Sequence, residues 1–365
     1  MKIRAAVTYE KNAPFVIEEV DLAEPKSGEI LVKITASGIC HTDEVAQTQQ
    51  IEVPLPAVLG HEGCGIVEKV GEGVTEFQVG DRVGFSYAYC GHCDCCRQGM
   101  PYACDEFNPI NFGGVMPDHT TRLSKNGQPI STFFGQSSFA TYAVVHENNA
   151  VKVPYDDIDL ALVGPLGCGV QTGAGTVLNY LKPKFGSSIA VFGCGTVGMS
   201  AIMAAKIANC AQIIAVGGNP SSLELARELG ATHTINRKEC RDIAGEIKQI
   251  TNGGVDYSVE TSGAENFILT GLRCLKFKGI ECIVGVGGEV KMQAYSDLMA
   301  EAKTMTGVIE GEGVSKIFIP QLLEYYHKGQ FPFDKLVKFY RFEDINEAIQ
   351  DSHNGGCIKA ILRMD

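Results

Sequence analysis

Three glycines in the stretch VFGCGTVGMS constrain the fold of this chain more than any other feature. Gly193, Gly195 and Gly198 follow an apolar run that indicates a strand, and they open an apolar run that indicates a helix. The first glycine permits a tight turn, the second lets the backbone approach a bound group closely, and the third lets the helix pack against the strand. The spacing predicts the first strand, turn and helix of a doubly wound α/β sheet.

The sequence that follows alternates between strand-like and helix-like segments, from SIAVFG through QIIAVGG, HTIN and VDYSVET to GIECIVGVGG. The segments between them, such as SSLELARELG, CRDIAGEIKQIT and ENFILTGLRCLK, are predicted helices. Such alternation is typical of a parallel sheet with helices on both faces. In this fold the pyrophosphate of a dinucleotide binds at the N-terminus of the helix that follows the glycines. We therefore expect a Rossmann-type cofactor site that contains Gly193, Gly195, Thr196, Val197 and Gly198.

The regions on either side have a different pattern. Short apolar runs broken by Gly and Pro, such as EILVKITASGIC, predict an irregular, strand-rich domain up to about Val153. After about Ile309, two helical stretches and the strand CIKAILRM are interpreted as a return to this first domain. We expect one domain from residues 1–169 and 310–365, and a dinucleotide-binding domain from residues 170–309.

The segment IIAVGGNPSS lies where the second strand of the sheet is predicted to end. An Asp or Glu at this tip hydrogen-bonds the ribose 2'-hydroxyl of NAD, but here the position holds Gly217. Without the acid, a 2'-phosphate is no longer repelled, and the loop favours NADP, with NAD as the alternative. The candidate cofactor-binding residues of the loop are Gly217, Gly218, Asn219, Ser221 and Ser222. Either serine is also expected to be the N-cap of the next helix, and Arg227 lies one to two turns into it.

Composition limits the partners. A net charge of −12 argues against binding to nucleic acid, which depends on clustered Lys and Arg. No apolar run reaches the 18 or more residues of a membrane helix, and the N-terminus lacks the apolar region of a secretory signal. We therefore expect a cytoplasmic protein that acts on a small molecule and does not bind a membrane.

The chain has 14 cysteines, and some of them belong to two groups of candidate metal ligands. Cys90, Cys93, Cys96 and Cys104 fall within CGHCDCCRQGMPYAC, and four thiolates in one loop are typical of a structural zinc site. Disulfides are the alternative, and Cys95 is an additional cysteine without an assigned role. The second group is scattered along the chain and contains Cys40, His41, His61, Glu62 and Cys168. Two Cys and one His make a catalytic type of zinc site, in which the fourth position is left for water or substrate.

These residues together resemble a known family. The motifs GICHTD, GHEGCGIVEKVGEGV, GDRV, GCGVQTGAG, VFGCGTVG and ELGATHTIN, with the four-cysteine loop, are similar to the zinc-dependent alcohol dehydrogenases of the medium-chain dehydrogenase/reductase superfamily. The C-terminal stretch FIPQLLEYYHKGQFPFDKLVKFYRFEDINEAI is most similar to aryl or benzyl alcohol dehydrogenases. The resemblance implies a strand-rich, GroES-like catalytic domain beside the Rossmann domain, with one catalytic and one structural zinc. It also implies hydride transfer between NADP(H) or NAD(H) and a primary aromatic or allylic alcohol.

The resemblance further implies roles for single residues. Cys40, His61 and Cys168 would bind the catalytic zinc with Glu62 beside them, and the four-cysteine loop would bind the structural zinc. Thr42 would hydrogen-bond the substrate oxygen and start the proton relay. The remaining implied contacts are those of Asp43 with a zinc-ligand histidine and of His41, Lys359 and Val286 with the cofactor.

The sequence also departs from the family pattern. Val45 replaces a relay histidine, so the proton must leave through the ribose hydroxyls, water or His41. Ser86 falls where ethanol-using relatives have a bulky aromatic residue, which implies a wider pocket. The residues implied to line that pocket are Thr42, Ile51, Ser86, Phe133, Phe134, Val286 and Ile309. Such walls suit a flat aromatic or allylic alcohol, although these residues are equally compatible with an ordinary core.

Parts of the sequence are also compatible with two other functions. The stretch VMPDHTTRLSKNGQPI is close to the glutathione-dependent formaldehyde dehydrogenases, but Asn108 stands where they carry an arginine for the glutathione carboxylate. A non-catalytic zinc- and nucleotide-binding sensor would not need Cys40, His61, Cys168 and Thr42 together. The resemblance also implies a homo-oligomer, a dimer or tetramer, formed through the edge strand near GIECIVGVGG and TMTGVIEG.

Overall fold

A computed structural model describes residues 1–364, and these divide into two compact units. The first unit comprises Met1–Cys168, Val314–Glu324 and the chain from Asp334 onward, and the second comprises Gly169–Gly313 and Tyr325–Phe333. The domain boundaries expected from the sequence stay a prediction. By its contacts, the short segment 325–333 groups with the second unit.

The first unit is rich in strands. Its strands are β1 (Lys2–Thr8), β2 (Val16–Leu22), β3 (Glu29–Gly38), β4 (Ala57–Val58), β5 (Glu62–Val70), β6 (Arg82–Phe85), β7 (Leu123–Lys125), β8 (Gln128–Thr132), β9 (Tyr142–His146) and β10 (Ala150–Lys152). Three α-helices lie between these strands: α1 (His41–Gln47), α2 (Asp94–Arg97) and α3 (Phe107–Phe112). Strands β1, β2, β7, β8 and β4 close a barrel, and β3 is central in a second, mixed sheet. Antiparallel pairing of β3 with β5 brings Gly38 opposite Glu62.

The second unit is a parallel sheet with helices between its strands. It contains α4 (Gly169–Gly175), β11 (Ser188–Phe192), α5 (Thr196–Ile207), β12 (Gln212–Gly217), α6 (Pro220–Leu229), β13 (His233–Asn236), α7 (Ile243–Thr251), β14 (Val255–Glu260), α8 (Glu265–Arg273), β15 (Leu275–Ile283) and β16 (Thr304–Gly307). The strand order β13-β12-β11-β14-β15-β16 is that of a doubly wound sheet. Every residue of β11 is buried, as expected for a strand covered on both faces.

The fingerprint glycines are required by the geometry of their turn. Gly193 has φ +102°, a conformation that side chains disfavour. A Cβ at Gly198 would lie 1.9 Å from the carbonyl oxygen of Gly193, so only glycine allows helix α5 to approach β11 this closely. The predicted fold class, a Rossmann-type sheet with a strand-rich second domain, is confirmed.

The C-terminal elements follow Gly313 in the chain. They are α9 (Ser315–His327), β17 (Val337–Arg341), α10 (Ile345–His353) and β18 (Lys359–Arg363). Strand β18 pairs with β3 and so places Lys359 in the mixed sheet of the first unit. Among the described residues, no single helix is both long and apolar enough to cross a bilayer. Leu160–Gly167 and Gly169–Leu181 pass that test only as a pair bent by 58°.

Candidate active site

Three chain segments of the first unit bring one group of metal-ligand side chains together. Cys40 is the N-cap of α1, and its backbone N–H donates to Asp43 Oδ2 at 2.9 Å, which fixes the start of the helix. His61 directly precedes β5, and Cys168 follows a short helical turn. The ligand atoms of Cys40, His61, Glu62 and Cys168 all lie within 4.8 Å of one another.

The geometry of this group fits a tetrahedral zinc ion. The Sγ atoms of Cys40 and Cys168 are 4.0 Å apart, and two thiolates on one tetrahedral zinc are about 3.8 Å apart for Zn–S bonds of about 2.3 Å. The Nδ1–H of His61 donates to Asp43 Oδ1 at 2.9 Å. Its Nε2 is buried and has no hydrogen-bond partner in the described part of the chain. A buried nitrogen without a partner beside two sulfur atoms is suited to a metal ligand.

The charges around His61 favour a cation. The hydrogen-bonded Cys168 thiol holds the pKa of Cys40 well below its ordinary value, against the effect of burial. A thiolate is the form of cysteine that binds a metal. Burial disfavours the protonated imidazole, but the Asp43 carboxylate and Cys40 outweigh it and raise the pKa of His61 well above its usual value. Negative charge is therefore concentrated around the His61 ring.

Glu62 and Lys359 form a buried ion pair next to this group. The Nζ of Lys359 lies 2.9 and 2.8 Å from the two Glu62 oxygens and donates to the carbonyl oxygen of Ile39 at 2.9 Å. Burial raises the pKa of Glu62 to about 7 against the attraction of Lys359. Burial alone would lower the pKa of Lys359, but the Glu62 carboxylate raises it. The predicted cofactor contact of Lys359 stays a prediction, because in this conformation its ammonium faces Glu62.

Thr42 and His41 begin helix α1. The Oγ1 of Thr42 is 3.7 Å from Cys40 Sγ, so its hydroxyl lies beside a candidate metal ligand. His41 is exposed, and its Nδ1 is 3.1 Å from Glu44 Oε2. His353 approaches the same carboxylate oxygen from α10 at 3.2 Å. The contact with this carboxylate orients the His41 ring through Nδ1.

The predicted pocket residues have different surroundings. Phe134 stacks on His61 with ring centroids 4.6 Å apart, and Phe133 meets the same ring edge-on at 5.5 Å. Ser86 is buried, and its hydroxyl donates to the carbonyl oxygen of Gly167, immediately before Cys168. With Thr42, four of the predicted pocket residues thus lie beside candidate zinc ligands or their neighbours. Ile51 is half-buried, whereas Val286 and Ile309 belong to the second unit and are exposed.

The four-cysteine loop forms a second group of ligand atoms within 4.8 Å of one another. Cys90 Sγ lies 4.0 Å from Cys96 Sγ, and Cys93 Sγ lies 4.0 Å from Cys104 Sγ. Backbone N–H groups donate to Cys90, Cys93 and Cys104 sulfurs at 3.3 to 3.5 Å. The N–H of Cys96 lowers the pKa of Cys93 to about 6. These sulfurs are spaced for a tetrahedral zinc site, and the cysteines are free in the described residues.

The second unit carries the candidate cofactor residues. Gly195 is the N-cap of α5, so the N-terminus of this helix, which begins at Thr196, directly follows the fingerprint glycines. At the tip of β12, the side chain of Asn219 accepts from the N–H of Ser221 at 3.1 Å and caps α6. The predicted serine cap is therefore wrong. Pro220 occupies the first helical position, which makes the preceding residue the N-cap.

Sequence reasoning missed Arg237, which follows β13. Its backbone N–H donates to the carbonyl oxygen of Gly217 at 2.8 Å, and its side chain lies against Gly218. The segment HTIN indicates a strand, but the sequence of the loop after β12 and of its helix does not show that the tip of the neighbouring strand lies beside them. The strand order of a doubly wound sheet, in which the third strand lies beside the second, is the signal that could have identified it.

Comparisons with known proteins agree with this geometry. The alcohol dehydrogenase GroES-like domain matches residues 26–155, and the zinc-binding dehydrogenase domain matches residues 196–325. A geraniol dehydrogenase from Castellaniella defragrans is 41% identical over 98% of this chain and 97% of its own. An S-(hydroxymethyl)glutathione dehydrogenase from Synechocystis is 38% identical over 99% of this chain and 100% of its own. The crystal structure of benzyl alcohol dehydrogenase from Acinetobacter calcoaceticus has a TM-score of 0.95 and 46% identity, with 100% of both chains covered.

The fold, the two ligand groups and these matches define a zinc-binding dehydrogenase. More specifically, the chain belongs to the zinc-dependent alcohol dehydrogenases of the medium-chain dehydrogenase/reductase superfamily.

Proposed function

We propose that this zinc-dependent alcohol dehydrogenase transfers hydride between NADP(H) and a primary aromatic or allylic alcohol and its aldehyde. The observation that carries the chemistry is the buried, unpartnered Nε2 of His61 beside the sulfurs of Cys40 and Cys168. Zinc at these three residues supplies a Lewis acid that lowers the pKa of an alcohol toward neutrality. Zinc at the four-cysteine loop has a structural role.

The residues around the metal ligands position the reaction. Asp43 orients His61 through Nδ1, which leaves Nε2 for the metal. Thr42 accepts the alcohol proton at Oγ1 and passes it outward as its own hydroxyl proton leaves. Val45 is buried and apolar, so it takes no part in that transfer. The Lys359 ammonium offsets the charge of Glu62 close to the ligands.

The cofactor proposal rests on the tip of β12. Gly217 provides no carboxylate to repel a 2'-phosphate, and the positive end of the helix dipole at the N-terminus of α5 suits a pyrophosphate. His41, held by Glu44, is proposed to contact the same pyrophosphate, and Val286 the nicotinamide end of the cofactor. We expect NADP(H) to be preferred over NAD(H), and reduction of the aldehyde to be the cellular direction.

The substrate proposal draws on the relatives and on the pocket. One relative is named for geraniol, an allylic alcohol, and one solved neighbour for benzyl alcohol. Phe133 and Phe134 place aromatic rings against His61, which suits a flat substrate beside the metal. Ile51, Ser86, Val286 and Ile309 are proposed to complete the walls.

Glutathione-dependent formaldehyde oxidation is the second candidate, because a 38% identical relative carries that kind of name. Asn108 on α3 provides no positive charge for a glutathione carboxylate. We therefore expect no stimulation of formaldehyde oxidation by glutathione.

Initial rates of aldehyde reduction test the proposal. Benzaldehyde and the allylic aldehyde geranial are compared with cyclohexanecarbaldehyde, which is similar in size to benzaldehyde but not flat, each with NADPH and NADH. We expect the flat aldehydes to be reduced at least about tenfold more efficiently, a difference of about 1.4 kcal/mol in transition-state binding. Preferred use of formaldehyde with glutathione would reject the substrate proposal.

Assembly and location complete the proposal. Strand β16 is an edge strand of the parallel sheet, and an edge presents unpaired backbone groups to a second chain. We propose a cytoplasmic homo-oligomer, a dimer or tetramer, formed through this edge. Light scattering coupled to size-exclusion chromatography measures its mass, and a monomeric mass at working concentration would reject it.

A further inference from the structure

Arg237 lies against the backbone of Gly218, where the tips of two parallel strands meet. Strand pairing sets Gly217 of β12 opposite Asn236 of β13. The residues that follow, Gly218 and Arg237, therefore lie at the same edge of the sheet. A Cβ at Gly218 would lie 2.7 Å from the Nε of Arg237 and 3.2 Å from its Cζ. The absence of a side chain at position 218 therefore makes room for the guanidinium.

The guanidinium is held without a counter-charge. Its Cζ lies 5.6 Å from the centroid of the Phe267 ring, a distance at which a cation is attracted to an aromatic face. No carboxylate of the described residues forms an ion pair with it. The nearby Arg273, by contrast, is paired with Asp297 at 2.9 Å.

The loop after β12 does not itself supply a cation for a phosphate. The side chain of Asn219 is used as the cap of α6, and it also accepts from the Ser221 hydroxyl at 2.8 Å. Arg227 on α6 is turned to Thr234, with its Nε 3.0 Å from Oγ1. In a protein with a net charge of −12, a phosphate must be held locally, either by backbone N–H groups or by a cation placed next to it.

We propose that Arg237 binds the 2'-phosphate of NADP(H), and that Gly218, which has no side chain, leaves the space that the guanidinium occupies. The inference rests on the proposed function in that the cofactor is NADP(H). The ribose 2'-substituent lies at the tip of the second strand of such a sheet, where a nearby arginine accommodates a 2'-phosphate. A planar guanidinium binds a phosphate through two parallel hydrogen bonds.

Binding of two nucleotides that differ only in the 2'-phosphate tests this assignment. Isothermal titration calorimetry measures the Kd of adenosine 2',5'-bisphosphate and of adenosine 5'-monophosphate for the wild type, Arg237→Gln and Arg227→Gln. We expect Arg237→Gln to weaken bisphosphate binding at least about tenfold, as for one charge-assisted bidentate contact. Its affinity for the monophosphate should stay within twofold. Arg227→Gln removes the same charge from a neighbouring element and should change neither Kd by more than twofold.

A second variant tests the role of the glycine. Gly218→Ala places a methyl group where the guanidinium lies, so it should reproduce the selective loss of bisphosphate affinity while Arg237 is still present. Thermal denaturation of each variant confirms that the fold is retained.

The contradicting outcomes are distinct. An unchanged bisphosphate Kd in Arg237→Gln, or an equal loss for both nucleotides, would overturn the assignment. A wild type that binds the two nucleotides equally would overturn it as well. Failure of the proposed reaction is read separately, because an enzyme that reduces no aldehyde can still show selective bisphosphate binding through Arg237.

Discussion

Glu281 of β15 and Glu260 of β14 are fully buried carboxyl groups on adjacent strands. The residue of β14 opposite Glu281 is two positions away from Glu260. Strand β15 sets Glu281 opposite Ser258. The Glu260 carboxylate accepts hydrogen bonds from the N–H groups of Ser262 and Gly263, each at 2.8 Å. Neither oxygen of Glu281 has a hydrogen-bond partner among the described residues. Burial, helped by the charge of Glu260 and opposed by Lys303, raises the pKa of Glu281 to about 9.

The first prediction is that Glu281→Gln stabilises the protein increasingly as the pH rises. A carboxyl with a pKa of about 9 in the folded chain and 4.5 ordinarily stabilises the fold as a neutral acid below pH 4.5. That contribution is lost as the pH rises to about 9. The wild type should therefore lose about 1.4 kcal/mol per pH unit relative to the variant between pH 6 and 8.

Denaturant unfolding at several pH values measures this difference. Glu289→Gln, at an exposed position of the same unit, is the control and should follow the wild type. A difference between Glu281→Gln and the wild type that does not vary with pH would contradict the prediction.

The second prediction concerns Asp43, which accepts hydrogen bonds from His61, from the N–H of Gly60 and from the N–H of Cys40. Asp43→Ala removes the group that orients the imidazole and should lower zinc affinity at this site about 10- to 100-fold. Competition with a chromogenic chelator measures the affinity. Asp344→Asn, which removes an exposed ion pair with Arg341, should leave it unchanged. Equal zinc affinity in Asp43→Ala and the control would refute the orienting role.

The third prediction separates the cysteines of the four-cysteine loop. Cys93→Ser should bind one zinc less per chain and melt about 5 °C or more below the wild type, because metal binding contributes to folding. Cys95 lies in the same turn but outside the group of four ligand atoms. Cys95→Ser should therefore keep the zinc content and the melting temperature. Loss of zinc in Cys95→Ser alone would show that the ligand set is wrong.

The fourth prediction concerns Thr42. Thr42→Val should lower kcat for aldehyde reduction about 10²- to 10⁴-fold, because it removes the hydroxyl that delivers the proton to the substrate oxygen in this direction. Thr42→Ser keeps the hydroxyl and should recover most of the rate. The KM for NADPH should change less than threefold in both variants, because the substitutions alter proton transfer and leave cofactor binding unchanged. Similar kcat values for the valine and serine variants would contradict the relay.

Features set by local spacing were predictable from the sequence. Gly193 and Gly198 are close in the chain, and their turn is dictated by backbone contact. The four-cysteine ligands fall in one loop, so spacing alone indicated the set. Cys40, His61 and Cys168 are distant in the chain. Their residue types suggested a catalytic zinc site, the family resemblance assigned them to it, and the structure brings their ligand atoms together.

Features set by pairing across the sheets were not predictable in the same way. Arg237 lies beside Gly218 because β12 and β13 are neighbours, and neither segment alone shows this. Lys359 faces Glu62 although 297 residues separate them. The predicted helix ENFILTGLRCLK ends at Arg273, because Leu275 pairs with Val255 and starts β15.

Reduction of benzaldehyde with NADPH by a Cys40→Ala variant is the decisive measurement for a catalytic zinc at Cys40, His61 and Cys168. The variant should retain the structural zinc, keep its fold and lose about 1,000-fold or more in kcat/KM, since Lewis-acid stabilisation contributes several kcal/mol. A rate within tenfold of the wild type, in a variant shown to lack one zinc per chain, would contradict the proposed active site.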